Sequence, residues 1–351
     1  MHTLLFSCGG RYCTAAAAAV LCKLALPSKG GAADPLDAVA AVVELTLSQC
    51  LVGALILNVG LRLRNRSNGI KTATPFTDTS RQMVAVSLAH LVGNFCTNAM
   101  YLLSSASITQ VLKASEPVCT VLLMRWFVGT RYSHAVYLCI ATIIVGVSMA
   151  AAAGKGSAGG SVSLWPVVLL CLVSNTTIPV RNVLSKVILN GPAASPTLPI
   201  MPAAQKTTKG VDIESMPAMT AVSSAPFPSG SVENGKATAA ISFAGDSVAL
   251  FAVVATQGAA MLLPVYLAIK APAALPLLMG GGKHALLSTP NPRDLLLAGL
   301  FHGWYNVFSF FCLDALGSAM SHAVANVFKR VFSITIALIS FRELPTAPSP
   351  V

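Results

Sequence analysis

Ser321-His322-Ala323-Val324-Ala325-Asn326-Val327-Phe328-Lys329-Arg330-Val331-Phe332 opens an apolar run that continues to Phe341, with two adjacent cations inside it. A charge at bilayer depth costs about 2.5–3.5 kcal/mol on insertion scales, so it is kept where it faces a partner or a water-filled cavity. His322, Asn326, Lys329 and Arg330 recur at i, i+4, i+7 and i+8, which is one face of a helix. A polar, cationic stripe on a membrane helix suggests a route for an anion. The competing reading is that Lys329 and Arg330 mark the helix end and snorkel to the interface.

The remaining composition sets the class. Of 351 residues, 54% are hydrophobic and 10% charged, and the mean hydropathy is +0.71. Soluble domains carry about 25% charged residues, so the chain reads as an integral membrane protein with many spans. The formal charge of +11 is spread out and is not interleaved with aromatics in a soluble segment, which argues against nucleic acid. The nine cysteines are scattered with no Cys-x-x-Cys pair, so no metal or redox site is expected and no cofactor is implied.

Residues 1–35 are Ala-rich, with Arg11, Lys23 and Lys29 and no acid before Asp34. They read either as a transit segment or as a weak first span at about 12–28. A second span at about 38–61 ends in Arg62-Leu63-Arg64-Asn65-Arg66, the most basic short loop, which the positive-inside rule places on the cytosolic or equivalent side. The third span, about 83–103, carries Asn94, Thr97 and Asn98 on one face. The fourth, about 108–128, holds Lys113 at membrane depth with Glu116 and Pro117 beyond it. Lys113 either serves a pathway or pairs with Glu116 to cancel charge, and Pro117 predicts a kink. A fifth span covers about 134–153. The sixth, about 164–189, contains Arg181, a pathway cation or an interfacial anchor. Residues 190–243 hold seven prolines and no helical period, and read as a disordered loop. Spans at about 247–269, 295–316 and 320–340 complete the set. The eighth of these nine carries His302, Tyr305, Asn306 and Ser309 on one face.

Thr109-Gln110-Val111-Leu112-Lys113 and Ala325-Asn326-Val327-Phe328-Lys329 both read amide, Val, large apolar, Lys. One lies in the fourth span and the other in the ninth. A unit of five helices repeated in sequence fits, and its odd number inverts the second copy. The expected fold is an all-α polytopic bundle, an inverted repeat of five-helix units. The halves fall at 36–189 and 244–345, and a tenth span is expected but missing, so the ending reads as truncated. Two lysines and an arginine around a shared cavity suit a doubly charged anion such as a phosphate ester.

Four ordered stretches carry a resemblance: Lys113-Ala114-Ser115-Glu116-Pro117; Ser174-Asn175 with Arg181-Asn182-Val183-Leu184-Ser185-Lys186; Trp304-Tyr305-Asn306; and His322 through Val331. Over about residues 36–345 the chain resembles the triose-phosphate/phosphate translocator family of the drug/metabolite transporter superfamily. The resemblance implies ten helices and exchange of a phosphorylated sugar or three-carbon compound for inorganic phosphate across an organelle membrane. It also implies that Lys113, Lys329 and Arg330 grip the phosphate, that Thr97 and Tyr305 supply hydroxyl contacts, and that Arg181 lies near the substrate's other end. Asn94 stands where plastid members often carry a histidine, and the spacing from Tyr305 to Lys329 is one residue longer than in the family. The partners implied are the phosphorylated substrate, inorganic phosphate and the bilayer. A plastid envelope or plastid-derived membrane is expected ahead of the Golgi. The alternatives are a nucleotide-sugar carrier of the same superfamily and an inactive truncated product. A membrane enzyme lacks a motif, since no His-Glu-x-x-His or Gly-x-Ser-x-Gly occurs.

Overall fold

Long apolar runs leave the backbone no water to bond with in a bilayer, so they close their own hydrogen bonds as helices. The computed structural model describes residues 2–27, 35–67, 81–127, 129, 131–157, 165–190, 246–278, 290–316 and 319–341. These form α1 (His2–Ala25), α2 (Pro35–Ser67), α3 (Arg81–Leu103), α4 (Ala106–Lys113), α5 (Glu116–Phe127), α6 (His134–Ser157), α7 (Trp165–Asn190), α8 (Ser247–Leu278), α9 (Pro292–Ala315) and α10 (Ala319–Phe341), and no strand occurs among them. The chain is a polytopic helical membrane protein. Six helices, α2, α3, α7, α8, α9 and α10, are long and apolar enough to cross a membrane, and α6 contributes a shorter apolar stretch, His134–Met149.

Three expected boundaries are corrected. The first span begins at His2 rather than near residue 12, so it takes in Arg11. Lys23, which weakens that span on paper, donates to the carbonyls of Tyr101 (2.6 Å) and Ser104 (2.9 Å) at the end of α3, where a cation suits the helix dipole. The seventh span runs on to Leu278, into the stretch expected to be loop. The fourth span is two helices, α4 and α5, and not one kinked helix. Pro117 has no N–H for the Lys113 carbonyl, and the ladder breaks at Ala114-Ser115. Ser115 Oγ donates to the Leu112 carbonyl at 2.8 Å, and Asn175 Nδ2 reaches Ser115 Oγ at 3.0 Å. The proline-rich stretch 190–243, apart from Asn190, and the C-terminal tail lie outside the described residues.

Counting α4 and α5 as one span, successive spans alternate in direction. The exposed Arg62, Arg64 and Arg66 end α2, and Asp246 before α8 pairs with Arg64 at 2.5 Å. The starts of α1, α8 and α10 and the ends of α7 and α9 therefore share that basic face. Packing follows a two-fold pattern: α1 lies along α9 as α7 lies along α3, α2 lies against α8, and α10 crosses α4 and α5. Exchanging the first five spans with the later ones maps these pairings onto each other, which is the arrangement the sequence repeat anticipates. Gly93 makes the α3–α7 contact close, since a Cβ there would come within 2.6 Å of Ile178 Cδ1 and 2.9 Å of Thr177 Oγ1. Near the basic face, Cys8 Sγ of α1 and Cys312 Sγ of α9 stand 3.5 Å apart.

Candidate functional site

A cavity of about 70 Å³ opens where α1, α3, α4, α7, α9 and α10 converge, and all seven expected site residues line it: Asn94, Thr97, Lys113, Arg181, Tyr305, Lys329 and Arg330. Lys113, Arg181 and Lys329 are only 2–3% exposed. Lys329 and Arg330 are therefore not a snorkelling helix end, and Arg181 is not an interfacial anchor.

Lys113 is the last residue of α4, which places its charge at the negative end of that helix. Thr97 Oγ1 and Ser174 Oγ both donate to the Gly93 carbonyl, at 2.7 and 2.8 Å. Their remaining lone pairs turn to the ammonium, which donates to Thr97 at 2.9 Å and to Ser174 at 2.5 Å. Lys329 repeats the arrangement from the other half. Its Nζ donates to Tyr305 Oη at 2.8 Å and lies 4.5 Å from the ring centroid. Each lysine thus takes a hydroxyl from the span before it and no carboxylate.

Glu116 does not pair with Lys113. It begins α5, and its carboxylate accepts from Arg330 Nη2 (3.2 Å) and Asn326 Nδ2 (2.8 Å). Arg330 Nη1 also donates to Gln110 Oε1 at 2.7 Å. The two amides of the sequence repeat, Gln110 and Asn326, therefore each reach across to the opposite half. Arg330 lines the cavity with its charge already shared with Glu116, so the two lysines are the freer cations. Four cations line the cavity, Lys113, Arg181, Lys329 and Arg330. Among the described residues the one carboxylate joined to them is Glu116, which leaves three positive charges uncompensated.

At the other end of the cavity, Arg181 Nη1 donates to His90 Nδ1 (2.9 Å) and Asn306 Oδ1 (3.1 Å), and its guanidinium lies 5.2 Å from the Phe310 ring centroid. The Asn94 amide lies 2.9 Å from His90 Nε2 and 3.2 Å from His302 Nε2. Two imidazoles therefore flank Asn94. His90 escaped the sequence reading, although it precedes Asn94 by one helical turn and is legible by that spacing. Arg11 also escaped. It is fully buried, and its Nη2 donates to Asn326 Oδ1 and lies 3.1 Å from His322 Nε2. Nothing in its neighbourhood in sequence marks it as an interior residue.

A family model described as the Triose-phosphate Transporter family matches residues 33–201 and 207–347. Among curated proteins, the chain is 22% identical over 291 residues to the chloroplastic triose phosphate/phosphate translocator of Zea mays, covering 82% of this chain and 56% of that one. It is 24% identical over 311 residues to the chloroplastic phosphoenolpyruvate/phosphate translocator 1 of Oryza sativa subsp. japonica, covering 87% and 60%. A shorter match, 30% over 159 residues and 44% of this chain, is to the Arabidopsis thaliana phosphoenolpyruvate/phosphate translocator 1. The chain spans roughly half the length of these relatives, or less.

Proposed function

Because the chain belongs to the Triose-phosphate Transporter family, we propose that it is a secondary antiporter that exchanges a phosphorylated sugar or three-carbon compound for inorganic phosphate. The observation that carries this reading is the pair Lys113 and Lys329. One comes from each half, each is held by a hydroxyl, and both face the same enclosed cavity. Phosphate is an anion rich in acceptor oxygens that suit such donors, and charge-assisted bonds of this kind are the strong ones. Thr97 and Tyr305 orient the ammonium groups. Arg330, its two Nη atoms held by Gln110 and Glu116, offers its Nε–H, and Arg181 with Asn94 meets the end of the substrate away from the phosphate.

Exchange follows from electrostatics. Empty, the site holds uncompensated like charges in a low dielectric, which is unfavourable. A bound dianion offsets them and lets the two halves rock about the midplane. A carrier that moves well only when loaded exchanges its substrates and does not leak. The chloroplastic relatives favour a plastid envelope or plastid-derived membrane over the Golgi.

The test is exchange in proteoliposomes. Vesicles are loaded with phosphate, and labelled phosphate uptake is followed against sugar phosphates, phosphorylated three-carbon acids and nucleoside monophosphates. Uptake that needs internal phosphate and is competed by one of the first two groups is the expected result. Competition by the nucleotides alone would make the chain a nucleotide-sugar carrier.

A further inference from the structure

Arg11 sits outside the cavity just described, yet it is fully buried and has no carboxylate within ion-pair reach among the described residues. A buried cation without a counter-charge costs several kcal/mol, and an ionisable group inside a membrane bundle is a functional residue by default. Asn326 Oδ1 and His322 Nε2 accept from it, and the Cys312 thiol, a weak acceptor, lies beside it. Since a guanidinium only donates, His322 accepts at Nε2 and its ring proton is on Nδ1. Three buried donor atoms are then left without an acceptor: Arg11 Nε, Arg11 Nη1 and His322 Nδ1. Buried donors with no acceptor are rare in native proteins. What satisfies all three, and the charge, is an anion with several acceptor oxygens.

The position along the bundle gives this surplus a direction. His322, Asn326 and Lys329 lie on successive turns of α10, which begins at the basic face of Arg62, Arg64 and Arg66. Arg11 therefore lies between Lys329 and that face, with His322 about 10 Å along the helix from Lys329 at 1.5 Å per residue. Asn326 joins the two levels. It accepts from Arg11 and donates to Glu116, the partner of Arg330.

We propose that Arg11 and His322 form a second anion station, which receives the phosphate group as it passes between the central cavity and the basic face. The station is shut in this conformation and comes into use when α1 and α10 part on that side. This inference rests on the exchange reading above, and the ligand class is the same: a phosphate oxyanion with several acceptor oxygens.

The experiment measures the KM for inorganic phosphate from each face of the bilayer separately. Oriented proteoliposomes, sorted by a tag placed within residues 68–80, are saturated inside with phosphate. For Arg11→Gln the KM at the basic face is expected to rise about tenfold, the loss of one charge-assisted hydrogen bond. If Arg11 were only a clasp holding that face shut, its loss would favour the open form there. The KM at the basic face would then fall, and the KM at the opposite face would rise. An unchanged or equal KM shift at both faces overturns the station as well. Arg11→Lys keeps the charge with a shorter reach and fewer donors, so its KM moves in the same direction by less. That variant carries the test should Arg11→Gln fail to assemble. Absence of phosphate exchange by the unaltered protein would sink the exchange reading itself. Normal exchange with the clasp's signature would sink only the station.

Discussion

On the proposed reading, exchange depends on Lys113 and Lys329, because each adds a charge to the cavity with no carboxylate attached. Removing either loses one or two charge-assisted bonds to phosphate, each worth about 1.5–3 kcal/mol. Lys113→Ala and Lys329→Ala are each expected to lower phosphate exchange by about 100-fold while the protein still inserts. Uptake assays beside a membrane-insertion assay check this, and exchange at the unaltered rate in either variant would refute the assignment. Glu116 tests the opposite sign. Its loss leaves Arg330 with Gln110 alone, and breaking a buried pair from one side typically costs about 3–5 kcal/mol. Glu116→Gln is therefore expected to melt at lower temperature in detergent. Added phosphate should raise its melting temperature by more than it raises that of the unaltered protein, since the anion replaces the missing charge. Of the seven residues that meet at the cavity, Lys113, Arg181, Lys329 and Arg330 were legible because cations inside apolar runs are costly enough to be conspicuous, whereas Asn94, Thr97 and Tyr305 came from the family resemblance. The link between Glu116 and Arg330 was illegible, since it joins residues 214 apart in sequence. Lys113, only three residues from Glu116, was the natural but wrong partner.

Among the elements, the break between α4 and α5 and the α3–α7 contact place Lys113. Asn175 donates to Ser115 Oγ (3.0 Å) and to the Leu112 carbonyl (3.4 Å), which bridges α7 to the interrupted ladder. Asn175→Leu leaves Ser115 Oγ without its interior donor at about 1–3 kcal/mol, while the Leu112 carbonyl keeps the Ser115 N–H (3.2 Å) and hydroxyl (2.8 Å). A lower melting temperature and a raised KM for phosphate are expected together, because Lys113 is the residue before the break. Gly93→Ala forces the added methyl against Ile178 and Thr177, an overpacking that costs about 1–3 kcal/mol. It also shifts the carbonyl that orients Thr97 and Ser174, so exchange is expected to fall along with thermal stability. A stability loss with unaltered KM would mean the carbonyl's orienting role is dispensable. The sequence marked the discontinuity through Pro117 but not its form. Proline removes one donor, whereas a kink and a full break differ in whether Ser115 and Asn175 satisfy the freed carbonyls, which is a tertiary fact. The first helix was misjudged at its start because Arg11 reads as surface until α9 and α10 cover it.

Across the whole molecule, the two-fold pattern of packing was legible from one five-residue echo, because a repeat that inverts must pair its copies across one axis. At the basic face this assembly is tied by Arg64 and Asp246. Burial alone would raise the Asp246 carboxyl, but the Arg64 hydrogen bond, the Ala249 N–H and the Arg64 charge together hold it below the usual carboxylate range. A carboxyl depressed by folding stabilises the fold above its unfolded pKa, and the contribution disappears as pH falls through the depressed value. The pair is partly exposed, so the effect is small and screened by salt. Melting temperature is expected to fall on acidification more steeply in the unaltered protein than in Asp246→Asn, and the difference should shrink in high salt. Cys8 and Cys312 have a consequence of another kind. Their sulfurs are 3.5 Å apart on helices from different halves, so they can be joined only while those helices touch at the basic face. The speed at which a mild oxidant links them is a clock on that contact. It would read, without any transported label, what fraction of its time the carrier spends closed on that side and how phosphate alters that fraction.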